Sequence, residues 1–303
     1  MKVGRKLRLK EKLFNGLAIL ILITLFICLI KMKENSIGEG VNISTSGTIQ
    51  SLELIAVMEN ELTGQAGSSQ TSTEEVPDYT RMYPNLYTVY SVPKEKEKNR
   101  KIAYLTFDDG PSENTFKVLD ILEEHDIKAT FFIVGSAVKK KNESSLQRML
   151  HEGHTIGIHT YSHMCNEIYC SVERFLDDFN NVYQLIYDLT GERVNIYRFP
   201  WGSNNGYSKN IKDALMEEME RRGFTCYDWN VDTNDSVGKP SSYSILRNIR
   251  RDIKNQNQPI ILMHDSSIND LSVQILPDVI KLLQELGYEF DTLENREPYQ
   301  FNW

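Results

Sequence analysis

The chain has 303 residues, enough to bury a sizeable core, and carries 34 basic against 42 acidic residues for a net charge of −8. Positions 1–33 hold eight basic residues and one acidic residue, a local charge of +7, which leaves −15 for the rest of the chain. A body this acidic argues against nucleic acid as a partner, because nucleic-acid binding depends on basic side chains that neutralise phosphates. The sequence has no glycine-rich phosphate-binding loop, so no nucleotide is expected either.

The N-terminal apolar run predicts a membrane anchor. Residues 13–30 are eighteen positions without a charge, and as a helix they would extend about 27 Å, close to the hydrocarbon thickness of a bilayer. We assign 1–12 to a cytoplasmic basic segment and 13–31 to a single transmembrane helix, and the positive-inside rule places the chain after Lys33 outside the cytoplasm. The alternative is a cleaved signal peptide, which is disfavoured because no small-residue cleavage site follows Ile30.

Residues 32–78 predict a flexible stalk. They are rich in Ser, Thr, Gly, Glu and Gln, and a short helical pattern is seen over 51–62. Beyond the anchor the chain holds three cysteines, Cys165, Cys170 and Cys226, and this odd number does not indicate a disulfide framework. A bridge between Cys165 and Cys170 and a set of free buried thiols both remain open.

Residues 79–303 predict one α/β domain, because short apolar runs alternate with longer amphipathic ones. The predicted strands are 102–107, 129–134, 155–159, 195–199, 225–229, 260–264 and 288–291. The predicted helices are 114–125, 144–152, 172–190, 208–222, 243–255 and 273–286. Seven strands and six helices favour a distorted, incomplete (β/α) barrel over an open sheet, although periodicity alone does not separate the two.

Polar residues that could carry chemistry stand where predicted strands end. They are Asp108 and Asp109 after the first strand, His159 at the third, Arg198 at the fourth, Asp232 and Asp235 after the fifth, and His264 at the sixth. Because the carboxyl ends of parallel barrel strands share one rim, we expect these side chains to converge.

The segment HTYSH places His159 and His163 four residues apart, a spacing that would put both imidazoles on one face of a helical turn. With a carboxylate from Asp108 or Asp109 they predict a metal site of two histidines and one carboxylate, with room left for water and substrate. The remaining histidines lie in or just after predicted helices and are interpreted as structural or exposed: His125, His151 and His154.

Five short motifs, TFDDGPS, HTYSH, RFPWG, VDTND and LMHD, resemble in order those of the polysaccharide deacetylases, carbohydrate esterase family four. The resemblance covers residues 101–293, and within the family the chain resembles membrane-anchored peptidoglycan N-acetylglucosamine deacetylases. It implies a distorted barrel of about seven strands, as in incomplete (β/α) barrels. It also implies one divalent metal ion, zinc first with cobalt, nickel or manganese as alternatives, and an acetylated glycan polymer as partner.

The resemblance gives the two adjacent carboxylates different roles. Asp109 matches the metal ligand, and His159 and His163 match the histidine ligands that join it. Asp108 matches the general base, which activates water for attack on the acetamide carbonyl. Arg198 matches the residue that holds this base ionised and oriented.

The resemblance also implies an acid and a substrate pocket. His264 matches the general acid that protonates the leaving amine, and Asp235 matches the aspartate that orients it. The backbone N–H of Trp201 matches a donor to the developing oxyanion. The implied substrate-binding positions are Pro200, Trp201, Leu262 and Asp232, of which Asp232 can equally be read as a loop-capping residue. Ser236 stands where the family often has tryptophan, which puts acyl-group preference in question.

The favoured function is a membrane-anchored, extracytoplasmic, metal-dependent hydrolase that removes N-acetyl groups from N-acetylglucosamine in a cell-wall or surface polysaccharide, with peptidoglycan first. Poly-N-acetylglucosamine, chitin oligomers and acetylxylan remain open. A non-catalytic glycan-binding wall protein is the second hypothesis, disfavoured because Asp108, Arg198 and His264 supply a base, its partner and an acid. A metallohydrolase for phosphate esters or peptides is disfavoured because no carboxylate cluster for a second metal is visible.

Overall fold

A computed structural model describes residues 77–89 and 100–301 of the chain. The predicted cytoplasmic segment, the transmembrane anchor and all but the last two residues of the stalk lie outside this range, so they stay predictions. Among the described residues no helix has the length and apolar content that a membrane span requires.

A parallel sheet forms the centre of the domain. Its strands are β1 (Ile102–Gly110), β2 (Thr130–Ile133), β3 (Thr155–Ile158), β4 (Ile196–Tyr197), β5 (Thr225–Cys226), β6 (Val231–Asp232), β7 (Ile260–His264) and β8 (Glu289–Phe290). The order is β5-β4-β3-β2-β1-β7-β6, with β8 paired to the start of β1. Within the described part of the chain β5 and β6 do not pair with each other, so the barrel stays open there. The predicted parallel α/β half-barrel is confirmed.

The predicted extent of the fifth strand, 225–229, was wrong. The observed strand β5 ends at Cys226, and the chain then turns before the additional strand β6 pairs with β7. Asp232, which we expected in a loop, therefore lies in a strand, in register with Leu262. A strand of two residues has no alternation of its own, so the sequence pattern could not reveal it.

Seven α-helices accompany the sheet among the described residues: α1 (Glu113–Glu124), α2 (Ser144–His151), α3 (Cys165–Ile168), α4 (Val172–Thr190), α5 (Lys212–Arg221), α6 (Ser242–Asp252) and α7 (Asp270–Glu285). The six predicted helices are confirmed, and the single turn α3 was missed. Serine side chains at 112, 171 and 241 accept backbone N–H bonds at the starts of α1, α4 and α6. Gly191 ends α4 with φ 78°, a left-handed conformation that glycine adopts readily.

Alternation along β1 divides the core into two parts. Ala103, Leu105 and Phe107 join the large cluster between sheet and helices. Ile102 and Tyr104 face the other way, into a smaller cluster on the inner face of the half-barrel. The other members of this inner cluster are Phe132, Ile196, Tyr227, Ile260 and Leu293. The same alternation carries Thr106 and then Asp108 inward toward the rim.

The described cysteines are free. Cys170 is exposed, Cys165 is half-buried and Cys226 is buried. The Cys165–Cys170 bridge is therefore not formed, and the alternative of buried thiols holds fully only for Cys226.

A buried arginine fastens residues 77–89 to the domain. Arg222 is fully buried, and its Nε donates to Glu218 Oε1 at 2.6 Å. Its two terminal nitrogens donate to four backbone carbonyls at 2.8–3.3 Å, those of Tyr79, Met82, Tyr83 and Leu86. Residues 79–89 are therefore an integral part of the domain.

Replacement of Arg222 by alanine is expected to lower the free energy of unfolding by about 3–5 kcal/mol, because a buried carboxylate loses a partner and four carbonyls lose their donor. Denaturant unfolding followed by circular dichroism measures the change. Arg250, which is exposed, supplies the matched control, and Arg250→Ala should stay within about 0.5 kcal/mol of the parent. Equal stability of the two variants would contradict the role of the Arg222 clamp, by which we mean Arg222 with Glu218 and the four carbonyls that it binds.

Candidate active site

The end of β1 brings two adjacent carboxylates to the same rim. Asp108 is 3% exposed and continues the inward alternation of Tyr104 and Thr106. Asp109 would face away in a regular strand. Instead its φ is 70°, and the register with β2 shifts between Asp108 and Gly110. This bulge turns Asp109 so that both carboxylates serve one site.

Three side chains converge in front of this bulge. Asp109, His159 and His163 each offer one ligand atom, and these atoms lie within 4.8 Å of one another. Asp109 Oδ1 is 3.3 Å from His163 Nε2 and 3.6 Å from His159 Nε2. The same oxygen is buried and has no hydrogen-bond partner among the described residues. A buried carboxylate oxygen facing two imidazole nitrogens suits a divalent ion.

Hydrogen bonding fixes the tautomer of His159. Its Nδ1 lies 2.9 Å from the carbonyl oxygen of Arg198, which can only accept, so Nδ1 carries the proton and donates. The lone pair of Nε2 is then directed toward Asp109. Burial lowers the pKa of His159 despite the nearby carboxylates. The imidazole is therefore neutral, as a metal ligand must be.

The predicted helical turn between the two histidines was wrong. Thr160 and His163 have φ values of 67° and 55°, and helix begins only at α3. The loop is held by Asp178 of α4, whose Oδ2 accepts from the Ser162 N–H at 3.0 Å. The imidazoles converge all the same, with ring centroids 5.1 Å apart, because the loop folds back on the rim.

Arg198 binds the inner carboxylate. Its guanidinium is fully buried, and Nη1 donates to Asp108 Oδ1 and to Thr106 Oγ1, both at 2.8 Å. Nε donates to the carbonyl of Tyr227 at 2.8 Å, and Nη2 donates to that of Asp228 at 3.2 Å. This charge-assisted bond fixes the direction of the Asp108 carboxylate.

His264 stands beside Asp108, with which it is in register across β1 and β7. Its Nδ1 lies 2.8 Å from Asp235 Oδ1, and its backbone N–H donates to Asp235 Oδ2 at 2.8 Å. Burial opposes a charge on this imidazole, but the hydrogen bond and the charge of Asp235 outweigh it and raise the pKa of His264 to about 9. His264 is therefore protonated at neutral pH, as a general acid requires.

Metal-free protein tests this pairing. His264 is expected to titrate near pH 9 in the parent and at a clearly lower pH in Asp235→Asn, where burial still opposes the charge and the main opposing partner is gone. Its folded pKa is raised, so it contributes stability that is fully present below 6.5 and is lost as the pH rises through about 9. NMR of labelled imidazoles measures both titrations, and buried His154, whose pKa burial lowers to about 4, is the internal control. An unchanged His264 titration in the variant would contradict the pairing.

The RFPWG loop reaches the ligands from the other side. Trp201 is 45% exposed, and its ring centroid lies 4.6 Å from that of His163. The carbonyl of Pro200 accepts a hydrogen bond from Tyr169 Oη at 2.9 Å, which holds the loop in place. Trp201 thus borders the open side of the ligand cluster.

The remaining predicted substrate-binding positions lie on β6 and β7. Leu262 is buried at 5% exposure and lies opposite Asp232. Asp232 Oδ1 accepts from the Asn234 N–H at 2.8 Å, the loop-capping contact that we weighed against a role in binding. Ser236 Oγ accepts from Asn269 Nδ2 at 2.8 Å, so this position ties two rim loops together.

Comparison with known proteins identifies the family. The family model for polysaccharide deacetylase matches residues 95–220. A peptidoglycan-N-acetylglucosamine deacetylase of Bacillus cereus is 33% identical over 213 residues, which cover 68% of this chain and 74% of that relative. The chain belongs to the polysaccharide deacetylase family. The crystal structure of the catalytic domain of a peptidoglycan N-acetylglucosamine deacetylase from Eubacterium rectale superposes with a TM-score of 0.64 at 33% identity, covering 71% of this chain and 97% of that one.

Membership in the polysaccharide deacetylase family does not by itself establish catalysis. A solved pseudoenzyme of carbohydrate esterase family four from Bacillus anthracis is 26% identical, with a TM-score of 0.55 over 65% of this chain and 65% of that one. Whether the chain is active therefore depends on the side chains at the rim.

No role was predicted for Asp265, although it closes the LMHD motif. Its carboxylate is buried, and Thr115 Oγ1 donates to Oδ2, while Oδ1 has no hydrogen-bond partner within the described part of the chain. Burial, with the charges of Asp109 and Asp108, raises the pKa of Asp265 to about 7. A Cβ at Gly110 would approach this carboxylate to 2.5 Å, so Asp265 packs directly against the glycine that follows the two rim carboxylates. Its position in the LMHD motif was the feature of the sequence that could have identified it.

Proposed function

We propose that this polysaccharide deacetylase is a metal-dependent hydrolase that removes N-acetyl groups from N-acetylglucosamine residues of peptidoglycan. The observation that carries the proposal is the separation of roles at the rim. Asp109 faces the two histidines, whereas Asp108 is held by Arg198 and lies in register with the His264–Asp235 pair. A glycan-binding protein needs none of these ionised pairs.

Asp109, His159 and His163 would hold one divalent ion. Two imidazole nitrogens and one carboxylate oxygen suit zinc, which we assign as the resident ion, with cobalt, nickel or manganese as substitutes. When bound, the ion supplies Lewis acidity, which acidifies water and polarises a carbonyl group.

Different side chains of the protein carry out the separate proton transfers. Asp108, oriented by Arg198, takes a proton from the water that attacks the acetamide carbon. The backbone N–H of Trp201 donates to the oxygen on which negative charge develops. His264, protonated because of Asp235, gives a proton to the sugar nitrogen as the bond to the acetyl carbon breaks. Acetate and a free amine are the products.

The choice of peptidoglycan is supported by the relatives from Bacillus cereus and Eubacterium rectale, whose names give that substrate. Poly-N-acetylglucosamine, chitin oligomers and acetylxylan are the competing substrates.

Acetate release from these polymers, measured with added zinc or cobalt, tests the function. We expect metal-dependent release from N-acetylglucosamine polymers, highest with peptidoglycan. No release from any of them under any metal condition would overturn the proposal and favour glycan binding alone.

The cellular setting is part of the proposal. Residues 1–12 are cytoplasmic, 13–31 span the cell membrane once, 32–78 form a stalk, and the catalytic domain of 79–303 lies outside the cytoplasm near its polymer. The support is the uncharged run of 13–30 and the excess of basic residues before it, six within 1–12 against two within 31–33. A reporter fused after residue 40 should be extracytoplasmic, and a cytoplasmic reporter would contradict this placement.

A further inference from the structure

A buried carboxylate behind the rim is used by no step of the proposed reaction. Asp228 is fully buried and follows β5. Its Oδ1 accepts from the Ser203 N–H at 2.8 Å, and its Oδ2 accepts from Ser203 Oγ and from the Phe301 N–H, the latter at 2.8 Å. Its backbone carbonyl accepts from Arg198 Nη2 at 3.2 Å. Asp228 therefore joins the RFPWG loop, the C-terminal segment and the arginine that holds the base.

The loop that Asp228 holds has an unfavourable backbone. Trp201 has φ 64° and Gly202 has φ 79°, and the left-handed conformation is disfavoured for a tryptophan. A Cβ at Gly202 would come within 2.7 Å of the Phe301 ring and 3.1 Å of Trp229, so the turn is enclosed on that side. Such a conformation persists only where its surroundings fix it.

We propose that Asp228 is a positioning residue for the oxyanion donor. Its bonds to Ser203 and Phe301 hold the turn of 201–203, and this turn aims the Trp201 N–H at the reacting carbonyl. The inference rests on the proposed function, because the oxyanion belongs to that reaction. Asparagine at 228 keeps the size but presents an amide N–H to one of the donors, so Ser203 or Phe301 loses its acceptor.

The test compares Asp228→Asn with Glu218→Gln in the full-length protein. Glu218 is a carboxylate of 3% exposure in the Arg222 clamp, where it takes no part in the reaction. We expect Asp228→Asn to lower kcat by about 10²-fold, the size of loss that a misplacement of about 1 Å can cause. KM and bound zinc should stay at the parent values. Glu218→Gln should lower the Tm and leave kcat unchanged.

Amide hydrogen exchange in metal-free protein gives a readout that does not depend on activity. The Gly202 N–H donates to the carbonyl of Phe199 at 2.8 Å within this turn, and the Ser203 N–H donates to Asp228. Both amides should exchange faster in Asp228→Asn and in a chain ending at residue 298, but not in Glu218→Gln.

Three outcomes would overturn the inference. They are unaltered exchange at 202 and 203, an unchanged kcat in Asp228→Asn, and a fall in kcat that is matched by loss of zinc or by Glu218→Gln. If the parent releases no acetate, the proposed function fails, whereas the exchange data still decide whether Asp228 holds the turn.

Discussion

Replacing His159 and His163 together by alanine is expected to remove the divalent ion and, with it, all acetate release above background. Both Nε2 atoms face the unpartnered Oδ1 of Asp109 in the described part of the chain, and a single carboxylate in water holds zinc weakly compared with a three-ligand site. Elemental analysis after dialysis, together with the acetate assay, measures the two losses.

His151→Ala is the matched control for the double variant. His151 is an exposed histidine at the end of α2, so its loss should change neither zinc content nor activity. Full zinc occupancy in the double histidine variant would contradict the assignment of the ligands.

Asp108→Asn is expected to lower kcat by about 10²- to 10⁴-fold, the usual contribution of a general base, while zinc stays bound. The amide retains an oxygen for Arg198 Nη1, which in the parent lies 2.8 Å from Asp108 Oδ1, but it cannot take a proton from water. The acetate assay and elemental analysis separate the loss of basicity from a loss of metal.

The neighbouring carboxylate supplies the comparison. Asp109→Asn should lose zinc as well as activity, because its Oδ1 faces both imidazoles. Two variants one residue apart would thus fail for different reasons. Zinc loss in Asp108→Asn equal to that in Asp109→Asn would contradict the division of roles between them.

Two buried ion pairs at the rim explain how several carboxylates with different roles can lie side by side in one stable site. Asp108 is bound by Arg198 and Asp235 by His264, and a buried charge is costly unless it has such a partner. Asp109 has two imidazoles nearby, but its Oδ1 has no hydrogen-bond partner among the described residues. It is therefore the carboxylate of this group that a bound divalent ion completes.

The pattern of residues predicted a parallel α/β domain whose polar residues share one rim. Alternating apolar and amphipathic runs predicted the six longer helices and the main strands, because burial imposes periods of 2 and 3.6 on the residues. Parallel strands share one carboxyl-terminal edge, so polar residues at strand ends had to meet. Asp108, His159, Arg198 and His264 do meet there.

The way in which these residues face one another depends on contacts between segments that are distant in the sequence. The bulge at Asp109 and the folded loop at His163 have no periodic signal, since each depends on contacts from β2 or α4. The same holds for Arg222 and Asp228, which bind backbone groups 143 and 73 residues away in the chain. The local sequence pattern indicates which residues of a helix or strand are buried. Hydrogen bonds between distant segments form only once the sheet and helices have brought those segments together.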